Sequence, residues 1–100
     1  MSKAARADIG SCAGRLRLLA EPTRLAVLRL IAGGALSVNE IASRLGVEQT
    51  LLSHHLALLR RGGLVRAQRQ GKCWLYALAP AVQVADAAEG IDLGCCTLNF

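Results

Sequence analysis

The stretch from Ser37 to Leu78 places the tightest limits on what this chain can fold into. Two short helical patterns flank the tight break Leu45-Gly46-Val47, and an alternating ribbon follows. The first pattern, roughly Ser37 to Arg44, puts Val38, Ile41, Ala42 and Leu45 on one apolar face. The second, roughly Gln49 to Arg61, predicts burial of Leu52, His55, Leu56 and Leu59, spaced three, one and three residues apart. Its opposite face carries Gln49, Thr50, Ser53 and His54 near the start, then Arg60 and Arg61 at the end. Gly62-Gly63 stops it, as glycine does past a helix C-terminus. A helix, a glycine turn and a second helix with polar residues at its exposed N-terminal end form a helix-turn-helix. In that arrangement the second helix lies in the DNA major groove.

The ribbon extends this reading. Leu64 to Arg69 runs out, Gln70-Gly71 turns, and Lys72 to Leu78 returns. Trp74, Tyr76 and Leu78 alternate onto one face, the period of a strand. Its tip, Arg69-Gln70-Gly71-Lys72, is basic and includes the glycine a tight turn needs. Such a wing could touch phosphate or enter a minor groove. A cationic hairpin that only keeps a sheet edge soluble is the alternative, and the two preceding helices favour the wing.

The charge distribution points the same way. Over residues 44–72 stand Arg44, Arg60, Arg61, Arg66, Arg69 and Lys72 against Glu48 alone, six minus one, or +5. Elsewhere six basic groups balance six acidic ones, so this segment accounts for the whole formal charge of +5. A merely solvated face would mix signs; a one-signed segment is the footprint of a polyanion partner. Length adds a bound: 100 residues make one domain, small enough to profit from dimerisation. The composition is 53% hydrophobic and only 3% aromatic, which suits helices packed on helices. No run of 18 apolar residues predicts a membrane span. Met1 to Asp8 leads into no continuous apolar segment, so no signal peptide is expected. The expected location is the cytoplasm, where four cysteines serve as ligands, sensors or buried thiols rather than structural disulfides. No paired-carboxylate site, phosphate-binding glycine loop or catalytic triad is present, so an enzyme is not expected.

In chain order, a first helix is expected over about Ser2 to Leu19, with Ile9, Cys12, Ala13, Leu16, Leu19 and Ala20 as an apolar seam that packs either on the core or on a second subunit. Pro22 suits the first turn of the next helix, Pro22 to Ala32, which is nearly all apolar and ends at Gly33-Gly34. After the reading head comes an alanine-rich helix from Pro80 to about Glu89, with Val82, Ala85 and Ala88 inward, closed by Gly90. The tail from Ile91 to Phe100 is too apolar for a solvated end. The chain thus divides into an N-terminal helix over 1–20, a helix-turn-helix and wing over 37–78, and a C-terminal helix and cysteine-bearing tail over 79–100, all within one winged-helix domain.

These residues also carry a family resemblance. Leu19-Ala20-Glu21-Pro22-Thr23-Arg24-Leu25 followed by Val27-Leu28 resembles the second-helix signature of the ArsR/SmtB transcriptional repressors. So does Leu51-Leu52-Ser53-His54-His55-Leu56-Ala57-Leu58-Leu59 running into Gly63-Leu64-Val65, and Gly71 with Tyr76-Ala77-Leu78 matches the family's wing. The resemblance covers roughly residues 15–80. It implies a mainly α, winged helix-turn-helix fold of about five helices plus a two-stranded wing. It further implies a homodimer whose first and last helices form the interface, sitting on double-stranded operator DNA with an inverted repeat until an inducer binds. By position, Gln49, Thr50, Ser53 and His54 match the base-reading surface, and Arg66, Arg69 and Lys72 the wing, with Arg60 part of the same basic footprint. Glu48 departs from the family, which usually has a capping serine there. An acid is tolerable at a helix N-terminus, but near phosphates it could weaken binding.

The inducer must be read from cysteines and histidines. The paired-cysteine motif of some arsenic and cadmium sensors would fall near Ser37-Val38-Asn39-Glu40, where no cysteine stands. The zinc-type site on the last helix needs histidine, and residues 79–100 contain none. His55 reads as a hydrogen-bonded structural residue and His54 as a base-reading one. Cys95-Cys96 remains, two soft donors suited to As(III) or Sb(III), with Cd(II) and Hg(II) as further candidates, and no organic cofactor. Trivalent arsenic takes three thiolates, and Cys12 is the third donor because the family packs its first helix beside the C-terminal region; which subunit supplies it stays open. Cys12 alone would also suit a small core hydrophobe, and Cys73, opposite the Trp74 face, reads as packing. The alternative is a thiol redox or persulfide sensor of the same fold pairing Cys12 with Cys95 or Cys96. A ring closed within Cys95-Cys96 would be strained, which disfavours that pairing.

Overall fold

The computed structural model describes the backbone over residues 3–84 and 90–100, and side chains from residue 10 onward within that set. Helix α1 spans Lys3–Leu19, α2 Pro22–Ile31, α3 Val38–Leu45 and α4 Gln49–Arg61. Strand β1 is Leu36–Ser37, β2 Val65–Gln70, β3 Cys73–Leu78, β4 Gly90–Asp92 and β5 Thr97–Asn99. No helix among the described residues is long and apolar enough to cross a membrane.

Helices α2, α3 and α4 each start on a side chain that accepts free backbone N–H groups. Glu21 caps α2 by accepting from the Arg24 N–H, with Pro22 in the first turn. Ser37 and Glu40 form a reciprocal capping box on α3. Glu48 caps α4 by accepting from Thr50 and Leu51. Helix α3 ends at Gly46, whose φ of 65° is the left-handed conformation that glycine adopts without strain.

The predicted apolar stripes meet in one core. Leu52, His55, Leu56 and Leu59 of α4 are all buried, and with them Ile41 and Ala42 of α3, and Val27, Leu28 and Ile31 of α2. Leu64, Val65 and Leu78 carry that core into the base of the ribbon. β2 and β3 pair antiparallel from Val65↔Leu78 out to Gln70↔Cys73, so the wing stands as expected. Along one face of β3, Leu78 is buried, Tyr76 half-buried and Trp74 exposed. That face thus leaves the core step by step. β1 has no counterpart in the sequence reading: Leu36 and Ser37 pair with Tyr76 and Leu75, giving a three-stranded sheet in the order β1-β3-β2.

Two expectations are corrected. The helix from Pro80 to about Glu89 is, over its described part, a single 3-10 turn at Pro80–Val82 followed by extended Gln83, which bridges to Ile91. Residues 85–89, including Ala85 and Ala88, lie outside the described residues. Beyond them β4 and β5 form a hairpin that places Ile91 and Leu93 in the core. The α1 seam is divided within the single chain: Cys12 and Leu19 are buried and Leu18 half-buried, whereas Leu16 is 46% exposed and Ala20 is exposed. Cys73 is exposed, not packed, because it pairs with Gln70 beside the turn, beyond the reach of the core.

Candidate nucleic-acid interface and thiol cluster

The polar face of α4 is open along its length. Gln49, Thr50, Ser53, His54, Arg60 and Arg61 are all exposed, as are Arg66, Arg69 and Lys72 on the wing. Two features missed in the sequence shape this surface. Gln49 donates from Nε2 to Oδ1 of Asn39 on α3, which ties the first side chain of α4 to the preceding helix. Arg69 donates from Nε to the Gly71 carbonyl at 3.1 Å and lies 5.9 Å from the ring centroid of its cross-strand partner Trp74. A guanidinium over an aromatic face is held by the ring's quadrupole. The wing cation is therefore held in one orientation. Its signal was present as Arg69 and Trp74 at matched distances from the turn.

Glu48 behaves differently from the usual capping serine. Both carboxylate oxygens are engaged, at 2.9 Å to the Thr50 N–H and 3.0 Å to the Leu51 N–H. These bonds, the Thr50 one foremost, hold its pKa below the ordinary carboxylate value. A fixed negative charge thus sits at the end of α4 that carries Gln49, Thr50, Ser53 and His54.

Beneath this surface lies a polar connection. His55, 8% exposed, points Nδ1 at Arg24 Nη1, 3.2 Å away. A guanidinium only donates, so in this contact Nδ1 is the acceptor. Arg24 also donates from Nε to the Leu18 carbonyl at 2.7 Å. His55 is therefore the hydrogen-bonded structural histidine expected, and Arg24, in the sequence only one letter of a motif, acquires a role.

The three cysteines anticipated as ligands come together within one chain. Cys12, buried on α1, and Cys95 lie at bonding distance, with Cα atoms 6.0 Å apart. Cys96 Sγ is 3.7 Å from Cys95 Sγ, and the three sulfurs all lie within 4.8 Å of one another. The β4–β5 turn presents the pair: Leu93 donates to the Cys96 carbonyl at 2.9 Å, and Gly94 to Asp92 Oδ1 at 2.8 Å. Buried Ile91 and Leu93 anchor the turn against the core, leaving Cys95 and Cys96 exposed. An ion bound through thiolates at about 2.3 Å sets its sulfurs roughly 3.4–3.8 Å apart. The vicinal pair already has that spacing.

A capped helix pair, an open polar recognition face and a basic two-stranded wing define a winged helix-turn-helix DNA-binding domain. The Helix-turn-helix domain family matches residues 19–68. The regulator NmtR of Mycobacterium tuberculosis is 41% identical over 66 residues, covering 66% of this chain and 55% of the relative. The arsenical resistance operon repressor of Escherichia coli is 40% identical over 77 residues, covering 76% and 65% respectively. Reduced HlyU from Vibrio cholerae superposes with a TM-score of 0.73 at 33% identity, covering 78% of this chain and 82% of that one. The homodimeric winged helix-turn-helix domain of Mb0332 from Mycobacterium bovis, described as a possible ArsR-family regulator, gives 0.71 at 35%, covering 79% and 73%. The chain belongs to the ArsR/SmtB family of winged helix-turn-helix transcriptional regulators. It spans 55% to 65% of the length of these two curated relatives. They are regulators of transcription, not enzymes, in line with the sequence reading.

Proposed function

We propose that this protein is a homodimeric repressor that binds an inverted-repeat operator and releases it when a soft metalloid or metal occupies Cys12, Cys95 and Cys96. As(III) or Sb(III) is the first choice of inducer, ahead of Cd(II) or Hg(II). The observation that carries the reading is the meeting of three sulfurs from α1 and the tail within 4.8 Å. Three thiolates, with no histidine or carboxylate beside them among the described residues, make a donor set for a thiophilic centre. The arsenical resistance repressor among the relatives supports the metalloid choice, and homodimeric Mb0332 supports the dimer. When bound, the ion would supply a three-way cross-link between α1 and the tail. Because the last turn of α1 contains Leu18, whose carbonyl Arg24 joins to His55 on α4, a shift of α1 has a direct bonded route to the recognition helix.

A second reading uses the same thiols without metal. Cys12 and Cys95 have a Cα separation of 6.0 Å, within the range a disulfide requires. An oxidant or persulfide donor that removed two electrons and two protons from this pair would make the same α1–tail link covalently.

Operator release decides between them. Reduced protein on an operator selected from random duplexes is titrated with arsenite, antimonite, cadmium, zinc and a persulfide donor, beside Cys12→Ser, Cys95→Ser and Cys96→Ser. Release by a trivalent metalloid, abolished in all three variants, is the expected result. Release only by persulfide or oxidant, with Cys96 dispensable, would move the assignment to the redox reading.

A further inference from the structure

One basic residue outside the reading head is committed to the thiol turn. Arg15 lies one helical turn after Cys12 on α1, so the two share a face. Its Nη1 donates to the Leu93 carbonyl at 3.1 Å, across 78 residues of sequence. Gly94, with φ of 91°, continues the turn, and a Cβ there would sit 3.8 Å from the same guanidinium nitrogen. Arg15 is thus laid along the start of the segment that carries Cys95 and Cys96, while Cys12 meets Cys95 one turn earlier on the helix.

We propose that Arg15 is a positioning residue of the thiol cluster: it clamps the Leu93–Cys96 turn to α1 so that the vicinal cysteines stand against Cys12. The proposal rests on the three-sulfur reading above for its purpose, not for its geometry. The tail hairpin is short, β4 and β5 having three residues each, so few bonds of its own hold the turn in place. A charge-assisted hydrogen bond to a carbonyl is among the stronger single ties available. It fixes the effective concentration of the tail thiols at Cys12, and a ligand that must collect all three sulfurs depends on that concentration.

The test measures proximity without metal. Full-length protein carrying Cys73→Ser is equilibrated in glutathione redox buffers. The intrachain disulfide from Cys12 to Cys95 or Cys96 is quantified by peptide mass spectrometry. Arg15→Met keeps most of the side chain's apolar stem and removes its donors; it should lower the effective concentration about tenfold, the worth of one charged hydrogen bond. Arg15→Lys, which can still donate one bond to the Leu93 carbonyl, should recover to within about threefold of wild type. The helical circular dichroism signal is followed in each; should Arg15→Met unfold, Arg15→Leu and Arg15→Lys make the same comparison. Wild-type effective concentration in the donor-free variants, or no intrachain disulfide in the wild type, would overturn the proposal. Arsenite titration of the same proteins separates the two claims. If the wild type ignores arsenite while Arg15→Met still loses proximity, the clamp stands and the metalloid reading falls. If arsenite binds wild type and Arg15→Met equally and proximity is unchanged, the clamp alone falls.

Discussion

Arg24 on the second helix and His55 on the recognition helix are joined at 3.2 Å, and the same guanidinium holds the last turn of α1 through the Leu18 carbonyl. One side chain therefore sets the relative position of three helices. The Glu21-Pro22-Thr23-Arg24 motif has a local reason as well, since Glu21 accepts from the Arg24 N–H and starts α2. Arg24→Ala would strand the Leu18 carbonyl and His55 Nδ1, and should cost about 2–4 kcal/mol by urea denaturation. Arg24→Lys cannot reproduce a fork from one nitrogen and should recover less than half of that. If the inducer signal runs through this bond, Arg24→Lys should also reduce the ratio of operator affinities without and with inducer. Wild-type midpoint and an unchanged ratio would remove Arg24 from both roles.

Acid sensitivity should concentrate at three helix caps. Glu21, Glu40 and Glu48 stand at the starts of α2, α3 and α4, and each pKa is lowered. The foremost causes are backbone N–H groups, of Arg24 for Glu21, Ser37 for Glu40 and Thr50 for Glu48. A depressed folded pKa means the stabilisation is fully present above the ordinary carboxylate range and is lost as pH falls through the folded values. Stability by chemical denaturation should be flat from about pH 7 to 5 on this account and decline below about pH 4.5. A variant with Glu21, Glu40 and Glu48 all changed to Gln should show a shallower decline. An equally steep one would place the acid-labile groups elsewhere.

Periodicity carried the reading head well. Leu52, His55, Leu56 and Leu59 fell on the buried face as spaced, because a helix packed on one side leaves a 3.6-residue trace. It carried the ends of the chain less well. Along α1 the pattern could not separate residues facing this core from residues free to face a second subunit, and half-buried Leu18 lay outside the seam it picked out. After Leu78, Pro80 and a run of alanines match a helix start by local preference. The bridge from Gln83 to Ile91 and the β4–β5 pairing are tertiary facts with no local signal. For the thiol cluster, Cys95-Cys96 was conspicuous and Cys12 inferable, but Arg15 was one of six basic residues outside the head until Leu93 singled it out.

Glu48 should weaken DNA binding while stabilising the helix that performs it. Serine can cap a helix as well, so Glu48→Ser keeps the cap and removes a fixed negative charge from the N-terminal end of α4. Affinity for operator and random DNA should rise together, about three- to tenfold at low salt, and the gain should shrink as salt screens it. Anisotropy titrations at two salt concentrations check this. Unchanged affinity on both duplexes would mean the carboxylate lies away from the phosphates.

Base reading and phosphate holding should separate by residue. Gln49 and Ser53 lie exposed on α4, and Gln49 is tied to Asn39. Gln49→Ala and Ser53→Ala should therefore lose operator preference, by about 1–3 kcal/mol for each base interaction removed, while keeping binding to random DNA. A parallel loss on both duplexes would contradict the placement of α4 in the groove.

The wing makes the opposite prediction. Arg69 and Lys72 flank its turn and are exposed, and Arg69 is braced by Trp74 and the Gly71 carbonyl. Arg69→Ala and Lys72→Ala should weaken every duplex alike. Each should flatten the plot of log affinity against log salt by about 0.9 for every phosphate the wing no longer neutralises. The braced cation gives up less side-chain freedom on binding, so Arg69→Ala should cost more affinity than Lys72→Ala at equal change in slope. Trp74→Ala tests the brace itself. It should weaken binding without changing the slope, because the charge remains and only its orientation is lost. Salt slopes identical in wild type, Arg69→Ala and Lys72→Ala would show that the basic tip does not reach the DNA.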